Sequence, residues 1–84
     1  MSKLEKLLSQ VVSGRADANI SFANLCQLLR RLGFSERTRG SHHIFSRAGI
    51  EDRINLQESG AKAKPYQVRQ VRAVIVKYGL EVRE

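Results

Sequence analysis

Eighty-four residues are enough for one domain but too few for two cores, since independent domains rarely fall below about 50 residues, so a multidomain enzyme is excluded. Hydrophobic residues at 42% and charged residues at 27% lie near the globular average and exclude disordered and collagen-like chains. Lysine and arginine number 15 against 8 aspartate and glutamate, and the formal charge of +7 gives a positive field suited to nucleic acid first and to an acidic protein second.

Leu4, Leu7, Leu8, Val11 and Val12 recur at helical spacing, so residues 2–12 read as a short amphipathic helix with Ser2 as N-cap and Gly14 as a left-handed stop. Arg15 to Asn19 reads as a polar loop. Ser21 then caps a second helix, whose Phe22, Leu25, Cys26, Leu29 and Leu32 form one stripe, and Gly33 stops it. From Phe34 to Leu56 the pattern shortens into three strands, 34–39, 42–46 and 53–56. Gly40-Ser41 has the length of a two-residue hairpin loop, with glycine first as the mirror-image turn requires. Residues 47–52, with Gly49, read as a longer second connection, and 57–64 as a polar loop. Pro65 opens a last helix over 65–78, with Val68, Val71, Val74, Ile75 and Tyr78 inward and Gly79 as its end.

The order is α-α-β-β-β-α, an α+β fold in which a three-stranded antiparallel meander buries one face under helices. Residues 1–84 form a single domain, with 1–19 an additional N-terminal helix and loop on a core over 20–80. No apolar run approaches the roughly 18 to 20 residues that span a bilayer. Glu5, Lys6 and Gln10 interrupt the first segment where a signal peptide would be apolar, so a cytoplasmic protein with no membrane partner is expected. Cys26 is the single cysteine and lies in an apolar stripe, which favours packing over reactivity. Neither a disulfide nor a zinc-type spacing is present, and no metal or cofactor is expected.

Polar functional groups are densest from Arg37 to Phe45, where Arg37, Arg39, Ser41, His42 and His43 fall within seven residues. Histidine exchanges protons near neutrality and arginine offers fixed charge and forked donors, a combination suited to phosphodiester chemistry without a metal. An imidazole can take the proton of an RNA 2′-hydroxyl while the cations stabilise the transition state. Successive strand residues point to opposite faces, so at most one of His42 and His43 addresses a given phosphate. The competing reading makes both imidazoles hydrogen-bonded strand residues. A second cluster, Lys62, Lys64, Arg69 and Arg72, surrounds the start of the last helix and reads either as a phosphate site or as a solvated basic face. Tyr66 either stacks on a base or packs at the helix start.

Four segments together resemble the HicA family of small bacterial toxins: Leu28 to Phe34, Arg39-Gly40-Ser41-His42-His43-Ile44-Phe45, Ile54-Asn55-Leu56, and the helix from Val68 to Leu80. The resemblance runs from about Phe22 to Leu80 and implies a fold like the double-stranded-RNA-binding domain, α-β-β-β-α. It implies an endoribonuclease toxin of a type II toxin-antitoxin system, cleaving mRNA without a metal and neutralised by a HicB-type antitoxin, with DNA reached only through that antitoxin. The family's catalytic histidine corresponds to His42, with Ser41 and His43 in support, and Arg37, Arg39, Lys62, Lys64, Arg69 and Arg72 are the expected RNA contacts. Many members carry Pro-x-His after the third strand, whereas this chain reads Leu56-Gln57-Glu58-Ser59, so that second histidine has no counterpart and the proton donor is left open. The alternative from a different class is a non-catalytic RNA-binding module on the same basic surface.

Overall fold

The structure is a computed structural model that describes residues 2–82. Helix α1 (Lys3–Ser13) starts where the Ser2 hydroxyl accepts the Glu5 amide at 3.1 Å, and α2 (Phe22–Arg31) starts where Ser21 accepts the Asn24 amide at 3.1 Å. Both caps fall where expected, because a serine oxygen satisfies an amide that the first turn leaves free. Between the helices the expected plain loop contains a 3-10 turn at Asp17–Asn19, closed by the Asn19 amide on the Ala16 carbonyl.

Strands β1 (Ser35–Arg39), β2 (His42–Arg47) and β3 (Ile50–Gln57) pair antiparallel in the order β1-β2-β3. β1 begins after Phe34 because the Phe34 amide serves the end of α2, donating to the Leu29 carbonyl while Gly33 donates to Arg30. The second connection is shorter than expected and β3 longer. Arg47 pairs with Ile50, so only Ala48 and Gly49 link the strands, and Gly49 takes a φ of 85° that other residues avoid. The pairing shifts between Phe45 and Arg47, where the single residue Ser46 of β2 lies opposite three of β3, an irregularity that absorbs the polar Glu51-Asp52-Arg53 run. Asp52 faces the helices, and Lys77 meets it at 3.2 Å.

Helix α3 (Pro65–Tyr78) ends at a left-handed Gly79. One core joins all the elements: Val11 from α1, Leu25 and Leu29 from α2, Phe45, Ile54 and Leu56 from the sheet, and Val68 and Val71 from α3, each at 0% exposure. α1 packs chiefly on α3, extending the helical layer instead of covering the other side of the sheet. Burial alternates along β3, with Ile54 and Leu56 enclosed and Arg53, Asn55 and Gln57 exposed, so one sheet face is packed and the other open. Among the described residues no helix is long and apolar enough to cross a membrane.

Gln67 is the buried polar residue of the core, 1% exposed. Its carbonyl oxygen accepts the Lys64 amide at 3.0 Å, and its amide nitrogen donates to the Gln57 carbonyl at 2.9 Å, fastening the first turn of α3 to the end of β3. Gln67→Leu leaves both backbone groups without a partner and is expected to lower stability by about 2 kcal/mol, read as a reduced urea midpoint at unchanged slope.

Candidate functional site

The Gly40-Ser41 turn sets the geometry of the site. Arg39 pairs with His42, so the loop holds two residues, and Gly40 has a φ of 58° while Ser41 does not leave the negative region. From that fixed start the strand sends His42 and Ile44 to the open face and His43 and Phe45 to the helices. His42 is exposed, and among the described residues its ring has no hydrogen bond or ion pair. Its cross-strand neighbours are Arg39 on one side and Gln57 on the other. Two residues further along the same face, Arg37, Ile44 and Asn55 lie side by side.

His43 has the opposite surroundings. Its side chain is 17% exposed and its ring meets Phe22 edge-on at 5.2 Å between centroids. Nδ1 lies 2.6 Å from a Glu36 carboxylate oxygen, and Nε2 lies 3.4 Å from Glu58. Glu36 also accepts from Arg30. Burial pushes the Glu36 carboxyl up, but the hydrogen bonds from His43 and Arg30 outweigh it and hold the group below its ordinary value of 4.5. His43 is thus a fixed strand residue, and the two adjacent imidazoles do not converge on one point.

Cys26 joins this buried group, and ligand atoms of Cys26, Glu36 and His43 all lie within 4.8 Å of one another. A sulfur, an oxygen and a nitrogen at that spacing are a donor set of the kind that holds zinc. Here Glu36 is already matched to Arg30 and His43, and burial pushes the Cys26 thiol up to about 11, so the group is a hydrogen-bonded ledge beneath the sheet edge. The thiol is protonated and enclosed, as its place in the apolar stripe predicts.

The remaining expected contacts divide into three places. Ser41 is exposed at the turn, and its carbonyl accepts the Glu58 amide at 2.9 Å. Lys62 and Lys64 lie at the same end of the sheet as His42, because Gln67 ties the start of α3 to Gln57, but they border the helical layer: Lys62 bridges to Ser21 and its ammonium reaches Asn19 at 3.2 Å. Arg69 is exposed on α3 and lies toward Asp17, whose carboxyl it helps to lower. Arg72 departs from the expectation. It grips Asp17 with two nitrogens at 2.9 and 3.1 Å and the Val11 carbonyl at 3.1 Å, so it joins α1, the 3-10 turn and α3 instead of offering its guanidinium to a ligand. Comparisons with protein-family models, curated proteins and solved structures found no match.

Two residues of consequence escaped the sequence reading. In the sequence Glu36 is one charge among several on a polar strand, and only its register opposite Phe45 turns it inward. Arg53, at the start of the expected third strand, is the third arginine of the open face, with Arg37 and Arg39; extending the alternation of Ile54 and Leu56 back by one residue would have placed it there. The lowered carboxyl of Glu36 contributes stability that is fully present above its unfolded value and is lost as pH falls through its folded one. The gap in urea midpoint between wild type and Glu36→Gln is therefore expected to persist at pH 5 and to shrink as pH falls below the ordinary carboxyl value of 4.5.

Proposed function

We propose that this chain is a metal-independent endoribonuclease of the HicA toxin type, acting on mRNA from the open face of its sheet. The observation that carries the reading is the placement of His42: exposed, free of carboxylate partners among the described residues, and beside Arg39, with Arg37 one rung further along. An imidazole in that setting has an open nitrogen for a substrate proton, and the guanidinium groups beside it can meet the phosphate.

The chemistry follows from those groups. His42 takes the proton of a ribose 2′-hydroxyl, the oxygen forms a bond to the adjacent phosphorus, and the bond from phosphorus to the 5′-oxygen breaks. The products are a 2′,3′-cyclic phosphate and a 5′-hydroxyl that takes its proton from water. Arg39, paired with His42 across the turn, opposes the negative charge that grows on the phosphorane oxygens, while Arg37 one rung further along and Lys62 and Lys64 at that end of the molecule extend the positive field over the RNA backbone. His43 supports the strand from beneath and takes no proton from substrate. An antitoxin of HicB type would act by covering the open face, and an acidic surface would complement it.

A second reading has its own support. No side chain orients the His42 ring among the described residues, whereas efficient general bases are usually held by a hydrogen bond to the other nitrogen. On that ground the same face would bind RNA without cutting it. The two readings separate in one assay. Wild-type protein incubated with RNA in EDTA is expected to yield cyclic-phosphate ends, His42→Ala to reduce the rate at least about 100-fold while retaining affinity, and His43→Ala to act mainly through stability. Retention of RNA without cleavage by the wild type would establish the binding module, and normal cleavage by His42→Ala would remove the histidine from the mechanism.

A further inference from the structure

The open face holds a second cationic position that the proposed cleavage step does not use. Ser35, Glu36, Arg37, Ile44, Ser46 and Arg53 line a depression of about 400 Å³. Its charged rim is Arg37 from β1 and Arg53 from β3, on either side of the half-buried Ile44 of the central strand. Arg37 and Arg53 are exposed, and among the described residues neither has an ion-pair partner. Of the carboxylates near them, Glu36 is held by Arg30 and His43, Asp52 faces Lys77 on the helical side, and Glu51, exposed two residues before Arg53 on β3, makes no ion pair with it among the described residues.

We propose that Arg53 and Arg37 form a phosphate subsite for the nucleotide adjoining the one cleaved at His42. The inference rests on the nuclease reading for what happens at His42, but the binding it assigns to Arg53 does not depend on cleavage. Its basis is spacing. Ile44 follows His42 by two residues on one face of one strand, a step of about 7 Å, and the depression lies between Ile44 and the next rung at Ser46. That step matches the advance from one phosphate to the next along an extended single strand. Arg39 and His42 would meet the scissile phosphate, Arg37 and Arg53 its neighbour, and Ile44 supplies an apolar floor for the intervening ribose. Two guanidinium groups lining one depression offer forked donors to non-bridging oxygens, with the Ser46 hydroxyl available as a third donor. The open face suits a single strand lying across it, read by charge and spacing instead of by base edges.

The test uses binding, so that it is independent of the chemistry. A fluorescein-labelled single-stranded RNA, 2′-O-methylated throughout and therefore not cleavable by transesterification, is titrated with the full chain at several salt concentrations. Arg53→Gln and Arg37→Gln are each expected to weaken binding about 5- to 10-fold at low salt and to reduce the slope of log K against log salt by about 0.7, the signature of one lost contact to a single strand. Lys6→Gln, which removes an exposed charge from α1, is expected to leave the slope unchanged. A two-phosphate trinucleotide should also compete better than a one-phosphate dinucleotide for wild type, and no better for Arg53→Gln. An unchanged slope in Arg53→Gln, or an equal reduction in Lys6→Gln, overturns the subsite, as does a wild type that does not bind the RNA. Cleavage of unmodified RNA in EDTA is measured in parallel. His42-dependent cleavage with an Arg53-independent slope removes the subsite alone, whereas an Arg53-dependent slope without cleavage removes the nuclease reading and leaves the subsite standing.

Discussion

The fold and the site both depend on the alternation of a single strand from a fixed start. Because Arg39 pairs with His42 across a two-residue turn, every later side chain of β2 has its face assigned. Phe45 must enter the core, and its burial at 0% exposure is the energetic anchor of the register. A slip by one residue would bring Phe45 to water, a loss of about 2 to 3 kcal/mol from that side chain alone. The same constraint that buries Phe45 puts His43 under the sheet with Glu36 and Phe22 and leaves His42 outside among arginines. Two neighbouring residues of one type therefore acquire different chemistry from packing alone.

Buried and half-buried polar groups hold the open face at a defined angle to the helices. Gln67 fastens α3 to the end of β3, Arg72 closes α1 and the 3-10 turn against α3, and Arg47 donates to the Leu32 carbonyl at the end of α2 at 2.9 Å. Each of these connects segments distant in sequence, and each satisfies a backbone carbonyl or a carboxylate that would otherwise face a drier environment. In a small domain such links matter, because its modest apolar core leaves little stability in reserve. They also explain why the basic composition overstates the charge available to a polyanion: Arg30, Arg47, Arg72 and Lys77 all have internal partners.

Most of the architecture was legible in the sequence, because it is written in local signals. Ser2 and Ser21 before apolar stripes, Gly-Ser between strands and Pro65 before a valine repeat each mark an element within a few residues. The length of β3 was not, because its first half carries Glu51, Asp52 and Arg53 and strand character there comes from pairing with β2 across a bulge. The division of His42 from His43 followed from strand period, but which of them faced out required knowing that Phe45 was buried. The internal pairing of Arg72 was out of reach because its partner Asp17 lies 55 residues away in the chain. Arg69 and Arg72 shared a helix face with each other, yet only tertiary packing decides which of them meets a carboxylate. The partnership of Glu36 with His43 was equally out of reach, being a contact between strands.

The central claim is that the sheet divides the two imidazoles and leaves His42 alone on the open face, where we propose that it meets the RNA. Nitrogen-15 NMR of the imidazole rings tests this directly when the full chain is titrated with a non-cleavable single-stranded RNA. The ring signals of His42 are expected to move as the RNA binds while those of His43 stay in place. Movement of the His43 ring with a silent His42 would contradict the account.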